Sequence, residues 1–332
     1  MPALSALRRL PNVRRAWPSR DGALTFEQLD PEGRLRAGKI NADGALHFMD
    51  FGLDRKLPEL APPEQGTLVV HRYERRAVIV GAEKVEKFLR AGRAMDIAHT
   101  AKLIHKLCEP TGFQAPEVLE NTDARIAFSK LPGDTLHDLN EKGIPGWQTL
   151  TQIWPEFVTQ QTSLPIHSTK DETGVLADWF KKASDFEAVP DLRHFGAAVS
   201  SVSRELVSGS SQPVLSHRDF HDKQLLWDGK HLGLLDSDTA VRAEAALDLG
   251  NLLAHAELRL IQGVFSTDTY IAVVKAVDAL ASTLQVPLER LACYLRCATL
   301  RLAFVYAFRP SSQPWFEQWV THCLSTQRKD YL

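Results

Sequence analysis

The residue types able to do chemistry concentrate in one stretch. It runs Val214-Leu215-Ser216-His217-Arg218-Asp219-Phe220-His221-Asp222-Lys223-Gln224-Leu225-Leu226 and continues, after a short gap, with Gly233-Leu234-Leu235-Asp236-Ser237-Asp238. Phosphoryl transfer needs the groups found here. A carboxylate must orient an acceptor hydroxyl and take its proton, and hard oxygen ligands must hold Mg²⁺ against nucleotide phosphates. Asp219, Gln224 and Asp236 supply two acids and an amide. The apolar runs Gln224–Trp227 and Leu232–Leu235 flank Asp228-Gly229, a strong hairpin signal. Asp219 is therefore expected in the loop leading into the hairpin, Gln224 at the start of its first strand and Asp236 at the end of its second.

The elements around this segment read as strands first and helices after. Thr25–Leu29, Arg34–Ile40 and Ala45–Phe51 are short runs separated by Pro31-Glu32-Gly33 and Ala42-Asp43-Gly44, the pattern of a meander. Thr67–His71 and Ala77–Val80 form a second hairpin across Arg72–Arg76, and Lys84–Leu89 follows as a strand. Met95–Leu107 has helical spacing, and Pro116–Glu120 and Arg125–Phe128 suggest two more strands. Helical segments are expected at Trp154–Thr162, Ala177–Ala183, Leu192–Val207, Leu247–Ile261, Thr269–Leu284, Leu288–Phe308 and Trp315–Ser325. The last of these, with Trp315, Phe316 and Trp319, reads as a helix docking on the rest. This is an α+β arrangement of two lobes.

The catalytic stretch resembles the aminoglycoside phosphotransferase and choline kinase-like family, a small-molecule branch of the protein kinase fold. That family's segment has the form His-Gly-Asp-hydrophobic-His-x-x-Asn, then an Ile-Asp-acidic turn, then an Asp-Leu helix start. Here His217-Arg218-Asp219-Phe220-His221-Asp222-Lys223-Gln224, Leu235-Asp236-Ser237-Asp238 and Leu247-Asp248-Leu249-Gly250 occupy those places. The connector Leu131-Pro132-Gly133-Asp134-Thr135-Leu136 is also similar. The likeness spans about Thr67 to Phe308.

The resemblance implies a bilobal kinase-like fold: an extra β-rich extension over 1–66, an N-lobe over 67–131 and a helical C-lobe over 132–332. It implies an enzyme that moves the γ-phosphoryl group of ATP, or alternatively GTP, to a hydroxyl of a sugar, amino-sugar or amino alcohol with Mg²⁺. Asp219 matches the catalytic base, Asp236 a metal ligand, and Gln224 the position of the second metal-binding asparagine, lengthened by one methylene. Val85-Glu86-Lys87-Phe88 resembles the strand whose lysine meets the nucleotide phosphates, and Lys84 is the poorer match. That lysine's partner should be a helical glutamate, but Met95–Leu107 offers only Asp96, with His99 as the other candidate. The turn Arg72-Tyr73-Glu74-Arg75-Arg76 has no glycine, so its arginines, Arg75 among them, are expected to bind phosphate by charge. His217 and His221 are expected to support the loop rather than to hold zinc, with His221 also a candidate to line the substrate site. Asp248 is expected to cap the helix behind it. The alternative is a catalytically weak or inactive kinase-like scaffold, suggested by Gln224, the missing glutamate and the extension. Protein-kinase activity is disfavoured because no Ala-Pro-Glu segment follows Asp236.

Composition sets the outer bounds. The chain has 332 residues, 44% of them hydrophobic and 24% charged, which suits a folded protein of about two domains. With 39 Lys+Arg against 41 Asp+Glu there is no global basic field for nucleic acid. No apolar run approaches the roughly 18 residues of a membrane span. The charge is uneven, however. Residues 1–130 hold 21 basic and 17 acidic side chains, net +4, and the remainder 18 and 24, net −6. The acidic half, with Asp238, Glu244 and Glu257, leans toward a cationic acceptor. The N-terminal arginines Arg8, Arg9, Arg14, Arg15 and Arg20 read as a local basic face. Residues 1–66 could serve as a partner-binding module or an enlarged sheet. Four cysteines are too few for a disulfide framework; Cys293 and Cys297, four apart, suit core packing better than a metal. A cytoplasmic location is expected.

Overall fold

Proline in the first turn and apolar Ala3, Leu4, Ala6 and Leu7 on one buried face make Pro2–Arg9 a helix, α1, where the sequence suggested only a basic flank. Arg8 and Arg9 fall in its last turn, where cations complement the helix dipole. The computed structural model describes residues 1–19 and 21–325, so Arg20 and the end of the C-lobe span lie outside the described residues.

Four strands follow as an antiparallel meander: β1 (Val13–Pro18), β2 (Leu24–Leu29), β3 (Leu35–Ile40) and β4 (Leu46–Phe48). The expected turns hold, and Gly33 and Gly44 supply their left-handed residues at φ 76° and 95°. A second antiparallel sheet comprises β5 (Thr67–Arg72), β6 (Arg76–Val80) and β7 (Lys84–Leu89). After α2 (Ala94–Cys108) and the two-residue β8 (Phe113–Gln114), β9 (Val118–Asn121) and β10 (Arg125–Ser129) complete it in the order β5-β6-β7-β10-β9. The first sheet does not extend the second. It packs on it instead, with Leu35, Leu57 and Leu60 buried against Leu68, Ala77, Ile79 and Phe88.

The rest is mainly helical: β11 (Asp134–Thr135), α3 (Leu136–Leu139), α4 (Ile144–Val158), α5 (Thr169–Asp185), α6 (Leu192–Ser208), β12 (Pro213–Ser216), β13 (Leu225–Trp227), β14 (Leu232–Leu234), β15 (Val241–Glu244), α7 (Ala245–Ile261), α8 (Thr267–Thr283), α9 (Leu288–Tyr306) and α10 (Gln313–Leu324). Helix α4 begins ten residues before the expected start, because Pro145 sits harmlessly at its first turn. The expected hairpin is β13–β14, with Gly229 at φ 96°, and it joins β11 and β8 in one small sheet. Gln224 stands just before β13, closing a 3₁₀ turn over Asp222–Gln224, and Asp236 lies two residues beyond β14.

Helix α7 is buried on all sides for most of its length and crosses α9 at Gly250. A Cβ there would stand 2.7 Å from the Leu295 backbone nitrogen and 2.8 Å from the Tyr294 carbonyl carbon, neither of which can yield without moving the helix. Gly250→Ala should therefore destabilise the fold by about 1–3 kcal/mol, read as a lower urea midpoint. All four cysteines are buried as packing groups, and burial pushes the Cys108 thiol up to about 12. Trp319 is fully buried, so α10 docks as expected. Among the described residues no single helix is long and apolar enough to cross a membrane.

Candidate active site

Two loops meet because their flanking strands pair. β12 and β15 run antiparallel from Pro213 opposite Glu244 to Ser216 opposite Val241. The chain leaving β12 carries His217 to Gln224, and the chain arriving at β15 carries Asp236 to Thr239. Asp219 and Asp236 consequently line one cavity of about 520 Å³, together with Asp238 and Thr239.

The backbone of the first loop is held from below. Asp248, in the first turn of α7, accepts from the Ser216 hydroxyl (2.8 Å), the His217 amide (2.8 Å) and the Arg218 amide (2.7 Å). It was expected to cap its own helix; it holds the loop that carries Asp219 instead. Arg218 stands where the resembled segment has glycine, and it takes φ 69°, a left-handed conformation that glycine adopts without strain. His217 is buried and donates Nε2–H to the Leu235 carbonyl (2.7 Å), tying the two loops together. Phe220 is fully buried and stacks on Trp154 at 4.0 Å, while Asn251 donates to its carbonyl at 2.9 Å. These contacts leave Asp219 about half exposed at the cavity.

Behind Asp219 lies a cluster that the sequence did not announce. The His221 ring stacks on His255 at 4.3 Å, and its Nε2 is 3.9 Å from an Asp219 oxygen. Buried Asp222 accepts from Arg259 Nε at 2.9 Å and meets His137 Nδ1 at 2.5 Å. Burial works against its charge, but Arg259, His137 and His221 together outweigh it and hold the carboxyl well below the usual range. Burial and the neighbouring His221 keep His255 neutral. His221, Asp222 and His255 lie close enough to hold a metal, yet Arg259 already occupies the Asp222 carboxylate.

Lys87 points from β7 across to the second loop. Its Nζ donates to Asp236 Oδ1 at 2.9 Å and Asp238 Oδ2 at 2.6 Å. Asp236 adopts a left-handed φ of 53°. Burial alone would lower the Lys87 pKa, but the two carboxylates overcome it and raise it. In return the Lys87 charge keeps the Asp236 carboxyl far below its ordinary range. Among the described residues neither Asp96 nor His99 pairs with Lys87; Asp236 and Asp238 take the role expected of a helix.

Gln224 is buried, and its amide nitrogen lies 3.4 Å from His221 Nε2; it does not line the cavity. Arg75 does, joined by Arg72, Arg76, Arg90 and Arg93. Arg90 and Arg93 escaped the sequence reading, although an Arg-x-x-Arg pair around Gly92 just ahead of a helix was a usable signal. The acids behind the cationic-acceptor expectation are spent inside the fold. Glu244 accepts from Arg290 Nη2 at 2.8 Å, Glu257 meets His322 at 2.8 Å, and Asp238 holds Lys87.

Comparison with solved structures gives the fold. A thermostable mutant of an aminoglycoside phosphotransferase, in a ternary complex with AMP-PNP and hygromycin B, superposes with a TM-score of 0.59 at 13% identity, covering 79% of this chain and 93% of that one. The GDP complex of wild-type aminoglycoside 2'-phosphotransferase-IIIa gives 0.51 at 12% identity, covering 80% and 93%. The GDP and kanamycin complex of APH(2")-IIia gives 0.53 at 13%, covering 81% and 94%. The bilobal kinase-like architecture expected from the motifs is thus the architecture observed. No curated protein matches the sequence. Residues 64–268, more than half of the chain, match the phosphotransferase enzyme family, and with the catalytic segment in the arrangement just described the chain belongs to that family.

Proposed function

We propose that this protein transfers the γ-phosphoryl group of ATP to a hydroxyl of a small molecule, with residues 1–66 an extension, 67–131 the nucleotide lobe and 132–332 the acceptor lobe. The observation that carries this is the convergence of Asp219 and Asp236 on one cavity walled by guanidinium groups. The donor set suits both cofactors. Asp236 and Asp238 offer the hard oxygens Mg²⁺ takes, and Arg72 and Arg76 each keep a buried Nε without a hydrogen-bond partner, as a polyphosphate site would. When bound, ATP and Mg²⁺ supply the phosphoryl group and neutralise its oxygens.

The chain's own groups do the rest. Asp219 accepts the proton of the acceptor hydroxyl, and its half-exposed position gives that hydroxyl access. Lys87 and Arg75 hold phosphate oxygens. Gln224, turned toward His221, positions the loop rather than adding to the carboxylate pair. A coupled assay of ADP release over a panel of hydroxyl acceptors tests the proposal. Turnover should require Mg²⁺, and Lys87→Met should lower kcat/KM for ATP by about 10²-fold. Mg²⁺-dependent ATP binding with no turnover on any acceptor would establish the binding-only alternative instead.

A further inference from the structure

The cavity beside Asp219 has more positive charge than its carboxylates and a nucleotide account for. Arg72, Arg75 and Arg76 come from the β5–β6 turn, and Arg90 and Arg93 from the turn between β7 and α2. Against them and Lys87 stand Asp219, Asp236 and Asp238, the last two already shared by Lys87. Arg90 donates Nε to the Glu74 carbonyl at 2.5 Å, and Arg72 lies over the Trp17 ring at 4.9 Å. No carboxylate pairs with any of the five arginines among the described residues. The Nε atoms of Arg72 and Arg76 are buried and unpartnered, and crowding by Arg75, Arg76 and Arg15 adds to burial in pulling the Arg72 pKa down to about 10. The N-terminus of α2, a 15-residue helix, opens on the same space, since its N-cap Arg93 and its Ile97 both line the cavity. A Mg²⁺-bound triphosphate on Lys87 and the β5–β6 turn offsets part of this surplus, and Asp236 also feels Arg76, but Arg90 and Arg93 keep no carboxylate partner among the described residues.

We infer that the acceptor is an anion, a small hydroxyl compound bearing its own phosphate group, held by Arg90, Arg93 and the N-terminus of α2 while its hydroxyl faces Asp219. This rests on the phosphotransferase reading above and fixes its substrate class. Guanidinium forks suit a phosphate's geometry, whereas an amine-bearing acceptor would meet like charge. The step balances simply: the acceptor oxygen–phosphorus bond forms, the bond from the γ-phosphorus to the ADP oxygen breaks, and the hydroxyl proton passes to Asp219.

The test uses the full chain with Mg²⁺ and saturating ATP, and compares hexoses, hexosamines and hexose monophosphates as acceptors. Hexose monophosphates should show a KM about tenfold or more below the others. Arg93→Gln, at an exposed position with no side-chain partner, should raise that KM about tenfold and leave KM for ATP unchanged. Preference for hexosamines, or an Arg93→Gln effect on ATP alone, would overturn the inference. If no acceptor turns over, titration of glucose 6-phosphate into the complex with Mg²⁺ and a non-hydrolysable ATP analogue separates the two readings. Binding that Arg93→Gln weakens keeps the anion site while the transfer reading fails, and no binding removes the anion site as well.

Discussion

Asp219→Asn should lower kcat by about 10²–10⁴-fold while leaving the affinity for MgATP within about twofold. In the proposed reaction the carboxylate receives a proton, and an amide of the same shape cannot do so. The loop does not depend on the Asp219 charge, because its backbone is held by Asp248 and its side chains by His217 and Phe220. The substitution therefore separates chemistry from folding. In the proposed reaction nucleotide affinity rests on Lys87 and the arginines of the β5–β6 turn, which the change does not touch. ADP release under saturating acceptor, paired with calorimetric ATP binding, reads both quantities. An Asp219→Asn protein with wild-type kcat would remove Asp219 from the reaction, and one that no longer bound ATP would reassign it to the nucleotide.

Asp222→Ala should destabilise the fold by about 3–5 kcal/mol. Asp222 and Arg259 are both almost completely shielded from water, with side-chain exposures of 1% and 4%. Removing the acid leaves a buried guanidinium with the neutral Gln262, Tyr306 and His255 as its polar neighbours, and strips His137 of its acceptor. The sign with pH follows from the depressed carboxyl. Its contribution is complete above the ordinary carboxylate pKa and is lost only as pH falls through the lowered folded value. The gap in urea stability between wild type and Asp222→Ala should thus stay constant from pH 7 to about 5 and close only in stronger acid. Asp222→Ala together with Arg259→Met should recover part of the loss, since the pair is then replaced rather than broken.

The sequence displayed whatever is encoded locally. Alternation and Asp-Gly or Pro-x-Gly turns marked β2 to β7, β9, β10, β13 and β14 but not the short or turn-poor β1, β8, β11, β12 and β15, and the spacing of Asp219, Gln224 and Asp236 around Asp228-Gly229 marked the two loops that meet at the cavity. What it hid depends on distance along the chain. Asp248 acts thirty residues away from its partners, so as a sequence feature it looks like a helix cap. Lys87 finds Asp236 and Asp238 some 150 residues on, a pairing set by how the two loops and β7 pack and not by anything local to Lys87. Gln224 has the right spacing, but its amide is drawn to His221. Of the acids that suggested a cationic acceptor, Glu244 and Glu257 are buried ion-pair members and Asp238 holds Lys87.

The stretch matched by the family begins at residue 64, but the cooperative unit begins earlier. Ala3, Leu7, Leu24 and Phe26 belong to the same continuous apolar core as Trp154 and Trp319, and Glu27 accepts from the His71 amide at 3.0 Å. Trp17 lies between Arg15 and the cavity's Arg72, while β1 also contacts the Pro310–Ser312 turn that precedes α10. The first sheet thus spans both sides of the cleft like a strap. Expressing only the homologous portion would not yield a smaller enzyme; it would expose a raw hydrophobic seam and remove the strand that contacts both halves.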